Sequence, residues 1–121
     1  PVMNIISQGQ DVLFDVDWQG AMRIGTSAPT DVVSIFILPP SMHELEQRLR
    51  TRALDSEDIV RRRMAKATIE ISHWEEYQYI IVNDDLETSV SQISTILYSE
   101  RLKRHRQAQL PDLVQELGVG R

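Results

Sequence analysis

Apolar residues gather in three short runs, at positions 12–16, 32–38 and 79–82. Each has the length and the β-branched or aromatic content of a buried strand, and none alternates cleanly between apolar and polar. Near-continuous runs of this kind suit parallel strands covered on both faces. Between and after them the spacing changes to that of helices. A short helix is predicted over 17–26. Pro39 and Pro40 close the second run, and Ser41 begins a helix with Glu44 as its capping-box partner and Met42, Leu45 and Leu49 on its apolar face. A longer helix follows, capped by Asp55 or Ser56, with Ile59, Met64, Ala67, Ile71 and Trp74 at close to helical period. After the third run, Asp84 or Asp85 caps another helix, whose buried face is predicted at Leu86, Val90, Ile93 and Leu97. The remainder from Arg101 is basic, breaks at Pro111 and ends in a weak helix over 113–117. Strands alternating with helices predict an α/β domain with a parallel sheet and flanking helices.

Composition narrows the class. With 121 residues, 41% hydrophobic and 26% charged, the chain is suited to one soluble globular core and is too apolar for a disordered tail. No apolar run approaches the ~20 residues of a bilayer span, and the first residues carry no secretory pattern. Cysteine is absent, which excludes disulfides and thiol catalysis and fits a reducing compartment. The net charge of -5 argues against general binding of nucleic acid. The first residue is not Met, and the chain reads as a fragment or a processed product.

In parallel α/β sheets, ligands bind beyond the carboxyl ends of the strands. That rule singles out Asp15 and Asp17, the Pro39-Pro40 segment, and residues 83–85. Asp15 and Asp17, two apart, fall on one side of a strand, a common way to hold magnesium directly or through water. Asp17 also suits a helix cap, and spacing alone favours that cap slightly over metal or ligand binding. Asn83 offers a donor and an acceptor to a base edge, or ordinary turn chemistry. Arg48, Arg50, Arg52, Arg61, Arg62, Arg63 and Lys66 flank a short turn at 53–56. Arginine forks recognise phosphate bidentately; the bland reading pairs them with Glu44, Glu46, Glu57 and Asp58 on a solvated face. His43, His73 and His105 lack metal-ligand spacing. The basic run 101–106 reads as a solvated helix end complementing the helix dipole.

These segments, taken in order, resemble guanylate kinase. The resemblance rests on Val12-Leu13-Phe14-Asp15-Val16-Asp17-Trp18-Gln19-Gly20, then Ile35-Phe36-Ile37-Leu38-Pro39-Pro40-Ser41, Arg48-Leu49-Arg50-Thr51-Arg52, Asp55-Ser56-Glu57 through Arg63-Met64, and Tyr79-Ile80-Ile81-Val82-Asn83-Asp84-Asp85. It implies a partial P-loop nucleoside monophosphate kinase fold, residues 1–121 forming the C-terminal part of the domain and 48–63 the lid. It implies ATP-dependent phosphorylation of GMP to GDP in purine nucleotide metabolism, in the cytoplasm, with magnesium accompanying ATP and with neither nucleic acid nor membrane as a partner; a homo-oligomer stays open. By the same resemblance Asp15 lies near magnesium and the phosphates, Asp17 contacts GMP, Arg52 and Arg63 close over the ATP phosphates as catalytic lid arginines, and Asn83 lies at the adenine pocket. Ala53 departs from the Gly that many members have there, which would stiffen the lid turn.

The sequence has no Gly-x-x-x-x-Gly-Lys-[Ser/Thr] loop and no GMP-binding insert. The resemblance places both before this segment, and puts the P-loop strand between the first two strands here, so a gap one strand wide is expected between them. The chain alone is therefore expected to be inactive and to need its missing half. Two other readings stand beside the enzyme: a non-catalytic guanylate kinase-like module that binds proteins, and a related P-loop kinase with another acceptor. The joint presence of Asp15, Asp17, Arg52, Arg63 and Asn83 favours the enzyme over the first, and the Asp-Val-Asp-Trp-Gln-Gly segment favours the guanylate type over the second.

Overall fold

The computed structural model describes residues 2–52 and 56–118, with the side chains of all of these but residues 4, 5, 7 and 52. The chain divides into two units, Pro1–Ser34 and Ile35–Arg121. The first unit contains helices α1 (Val2–Ser7) and α2 (Trp18–Ser27). Gly9 ends the first helical segment, with φ +80° and its N–H donated to the carbonyl of Ile6 at 3.0 Å. Only glycine takes that left-handed conformation without steric cost.

The apolar run at 12–16 is not a strand, contrary to its composition. The segment is irregular, and Leu13 is 96% exposed. A strand exists through its ladder, and no strand lies among the described residues of this unit to supply one. Among the described residues the three-stranded core expected from the sequence is thus a sheet of two strands, and the expected gap between the first and second has no counterpart there.

The second unit runs β1 (Ile35–Leu38), α3 (Met42–Arg52), α4 (Glu57–Ser72), a 3-10 turn (Trp74–Glu76), β2 (Tyr79–Val82), α5 (Leu86–Arg101), a second 3-10 turn (Arg104–Arg106) and α6 (Leu110–Glu116). β1 and β2 are parallel, with Ile35 opposite Tyr79 through Leu38 opposite Val82. Parallel strands require a crossover, here made by α3 and α4. β1 is shorter than the apolar run 32–38 because its partner offers only four residues. Asn83 continues the ladder by donating its N–H to the carbonyl of Leu38 at 2.8 Å. Phe36 stacks on Tyr77, with ring centroids 4.8 Å apart.

Helix phases differ from the pattern in two places. On α4 the predicted positions Ile59, Met64, Ala67 and Ile71 are half-buried, but the deepest residue is Val60, and Trp74 is largely exposed. The helix ends at Ser72, so Trp74 is off its stripe. On α5 the predicted face is largely outward: Leu86 is 71% and Val90 54% exposed, with only Ile93 of the four half-buried. The inner stripe is Ser89, Ile93, Ile96 and Glu100, with Ser89 and Glu100 the buried polar pair. The two stripes share Ile93 and differ in direction by about 60° around the helix axis. Ser89 bonds to Asn83 and Glu100 to Tyr79. These two polar attachments fix the rotation, since buried polar groups must keep their partners.

Candidate functional site

Within the first unit, Asp17 takes the cap role. Its Oδ1 accepts from the Gly20 N–H at 2.8 Å, and its carbonyl accepts from Ala21 N–H at 2.9 Å. Gly20 keeps this turn uncrowded: a Cβ there would lie 3.0 Å from the Cβ of Val16 and 3.3 Å from Asp17 Oδ1. Asp15 is exposed in the irregular segment. Among the described residues, no group of three or more His, Asp or Glu is arranged to hold a metal. Magnesium commonly takes only one or two carboxylates, filling its octahedron with water and phosphate oxygens. A lone Asp15 fits that mode and does not fit an all-protein cage.

Within the second unit, the strand ends converge on Asn83. Its N–H is held by Leu38, its carbonyl accepts from Arg48 Nη2 at 3.2 Å, and its Oδ1 accepts from Ser89 Oγ at 2.9 Å. Asp85, not Asp84, caps α5: its Oδ2 accepts from the N–H and the hydroxyl of Thr88 at 3.1 and 2.8 Å. Those bonds hold its carboxyl below the usual range. Pattern reading missed Ser89. The available signal was its position one turn beyond a capping Asp, on the side of the helix that starts from the strand end.

The basic helices are laid out by their caps. Ser41 Oγ accepts from Glu44 N–H at 3.0 Å, and Ser56 Oγ accepts from Ile59 N–H at 3.4 Å, which selects Ser56 over Asp55 as the cap assigned to α4. Asp55 itself, with Ala53 and the rest of the turn 53–55, lies outside the described residues. The Glu44 carboxylate pairs with Arg48 at 3.5 Å, one helical turn away. Arg50 bridges α3 to α4, reaching Glu46 at 3.1 Å and Glu57 at 2.8 Å. The bond to Glu57 raises the guanidinium pKa above its ordinary value, and the same bond lowers that of Glu57. All three groups are solvated, so the bridge orders the helices more than it stabilises them. Between α3 and α4 lies an open groove of about 390 Å³, lined by Met42, Val60 and Met64 together with Arg50, Glu57 and Arg61. The carboxylate-paired reading thus holds for Arg48 and Arg50. Arg63 stands exposed on α4, one residue before half-buried Met64. Arg52 is the last residue of α3, and its side chain lies outside what is described.

The basic run 101–106 is not simply a solvated helix end. Glu100 is 5% exposed and accepts from the Tyr79 hydroxyl. Lys103 Nζ lies 2.9 Å and Arg106 Nε 3.4 Å from its carboxylate. Arg101 lies over the Tyr98 ring, 5.9 Å from its centroid. A buried carboxylate needs such partners, and the tail folds back to provide them. The last helix starts at Leu110, earlier than predicted, because Pro111 sits in its first turn, where a missing N–H costs nothing.

The sequence pattern of the family described as guanylate kinase matches residues 1–100. The guanylate kinase of Paramagnetospirillum magneticum is 56% identical over 120 residues, covering 99% of this chain and 56% of the relative. That of Rhodospirillum rubrum is 55% identical over 121 residues, with the same shares. The crystal structure of guanylate kinase from Anaplasma phagocytophilum superposes with a TM-score of 0.78 at 38% identity, over 95% of this chain and 54% of that one. The chain therefore spans about half the length of the relatives it matches. Its α/β fold, with a parallel ladder crossed over by helices, is that of part of a guanylate kinase, and the chain belongs to the guanylate kinase family.

Proposed function

We propose that this chain supplies the lid and the adenine pocket of an enzyme that transfers the γ-phosphoryl of ATP to GMP. The observation that carries the reading is the family match over residues 1–100, which includes every one of Asp15, Asp17, Arg52, Arg63 and Asn83. Phosphoryl transfer asks mainly for positioning and charge neutralisation. Arg52 and Arg63 bracket the lid turn and act on the phosphates when the lid closes, stabilising charge and excluding water. Asn83 meets the adenine at the carboxyl end of β2. Asp15 would hold magnesium through water, and the ion would supply charge neutralisation on the phosphates. Asp17 keeps one oxygen for its cap and has the other for GMP. The enzyme works in the cytoplasm, in purine nucleotide metabolism. No helix among the described residues is long and apolar enough to cross a membrane.

The test is a chimera in which this chain replaces the matching segment of the Paramagnetospirillum magneticum guanylate kinase. GMP-dependent release of ADP from ATP is expected. A folded chimera that binds neither nucleotide nor turns over would instead favour the non-catalytic protein-binding module.

A further inference from the structure

Asn83 carries four polar groups: backbone N–H and C=O, and the side-chain Oδ1 and NH2. Three are taken, each by a different element. β1 receives the N–H through Leu38 at 2.8 Å, α3 donates to the C=O through Arg48 at 3.2 Å, and α5 donates to Oδ1 through Ser89 at 2.9 Å. Ser89 is only 4% exposed, so its hydroxyl has little water to turn to. Breaking that bond would strand a buried polar group. What is left of Asn83 is an amide donor whose orientation is set from behind.

We infer that Ser89 is a positioning residue, fixing the Asn83 amide with its NH2 end toward the base and thereby setting the preference for adenine over guanine in the phosphoryl donor. The inference rests on the reading of Asn83 as an adenine-pocket residue. A free asparagine turns its planar amide over and presents either a donor or an acceptor. The two purines differ at ring position N1, which is an acceptor in adenine and an N–H donor in guanine. An NH2 end held outward meets adenine N1 as donor to acceptor. Against guanine seated in the same position, that end sets donor against donor. Relief requires either sliding the base to bring its O6 acceptor to the amide, which gives up the base's seating, or turning the amide, which costs the buried bond to Ser89. Sites that leave a polar group unpaired against the wrong ligand discriminate strongly.

The experiment measures ATP and GTP binding to the chimera in which this chain replaces the matching segment of the Paramagnetospirillum magneticum guanylate kinase, following the side-chain NH2 signals of Asn83 by NMR, with Ser89→Ala and Asn83→Ala alongside and the melting temperature of each recorded. The chimera without further change is expected to prefer ATP by about tenfold, the ratio that one mispaired hydrogen bond typically gives. Ser89→Ala is expected to bring that ratio to within about threefold of unity, chiefly by gaining affinity for GTP. An unchanged ratio in Ser89→Ala, with ATP binding lost in Asn83→Ala, overturns the role of Ser89 and leaves the adenine-pocket reading standing. Equal weakening of both nucleotides in Ser89→Ala, with a lowered melting temperature, reduces Ser89 to a structural residue. ATP affinity unaffected by Asn83→Ala, or no ATP-dependent shift at the Asn83 amide, overturns the adenine-pocket reading and the inference with it.

Discussion

Tyr79, the first residue of β2, donates its hydroxyl hydrogen to the carboxylate of Glu100 in the last turn of α5. The strand and the helix are thereby tied at the end of the sheet away from Asn83, and Lys103 and Arg106 neutralise the buried charge. The bond to Tyr79, chief among the causes, lowers the Glu100 pKa below its ordinary 4.5. The same bond raises the Tyr79 pKa above 10.0.

The sign of the pH dependence follows from those directions. A carboxylate with a depressed folded pKa contributes fully above its unfolded value and loses that contribution as pH falls through the folded one. A phenol with a raised pKa contributes fully below its unfolded value and loses it as pH rises through the folded one. The tie is thus intact between about pH 5 and 9. Glu100→Gln is expected to lower unfolding free energy by about 2 kcal/mol at pH 7, with the difference from the unaltered chain closing toward pH 3. Urea unfolding followed by circular dichroism at the two pH values checks this; a difference that persists undiminished at pH 3 would mean that the charge is not the cause.

The two glycines of α2 should respond oppositely to alanine. An added Cβ at Gly25 meets nothing within 4 Å, so Gly25→Ala is expected to stabilise the helix by up to about 1 kcal/mol through propensity alone. At Gly20 the same gain is opposed by the 3.0 Å approach to Val16 Cβ. Val16 can yield only by moving the backbone that presents the Asp17 cap, and a lost cap costs about 1 kcal/mol. Gly20→Ala is therefore expected to give no net gain. Thermal melts of both variants decide it, and equal stabilisation would show that the loop before α2 adapts freely.

The 121-residue chain alone is expected to show no GMP-dependent turnover, because it contains no P-loop sequence to hold the ATP phosphates. A coupled assay for ADP on the purified chain is sufficient. Turnover above the no-GMP control would mean that the phosphates are held by residues of this segment, and the lid reading would have to be redrawn.

In the chimera, Arg63→Ala is expected to lower kcat on the order of a thousandfold while changing GMP binding little, since a contact made to the transferring phosphoryl group acts on rate. Arg61→Ala is expected to be nearly silent: it lines the solvated groove beside Arg50 and Glu57, where single charges contribute little. Steady-state kinetics with ATP and GMP varied in turn separate the two. Small, equal effects would return the whole cluster to a solvated face.

What could be read from the sequence was whatever local pattern decides. Tyr79–Val82, the helix following Ser41 and the cap at Asp17 depend on neighbours a few residues away. The run at 12–16 has the composition of a strand, but pairing is a property of two segments, and composition cannot report the second. The rotation of α5 was hidden for another reason: Ser89 and Glu100 look outward-facing by residue type, and only their partners Asn83 and Tyr79 make them inward. At the candidate site, Asn83 was legible as a strand-end residue, whereas the hydroxyl behind it was not. The pairing of arginines with Glu44, Glu46 and Glu57 was legible as a category, but not that Arg50 would span two helices.

The parallel pairing of β1 with β2 also sets an order of events in folding. Leu38 and Tyr79 belong to one ladder, yet about 40 residues separate them, and closing a loop of that length carries an entropic cost that no contact repays until it is shut. The helices α3 and α4 lie inside the loop and are next to each other in sequence, so they can form and meet early, shortening the distance the strands must search. The ladder is then the last structure gained, and its closure completes the cooperative unit. Amide exchange is the sensitive witness: Ile81 N–H, within β2, should exchange by the global opening of this unit, together with the inner face of α5, whereas the outer turns of α3 should exchange by local fraying.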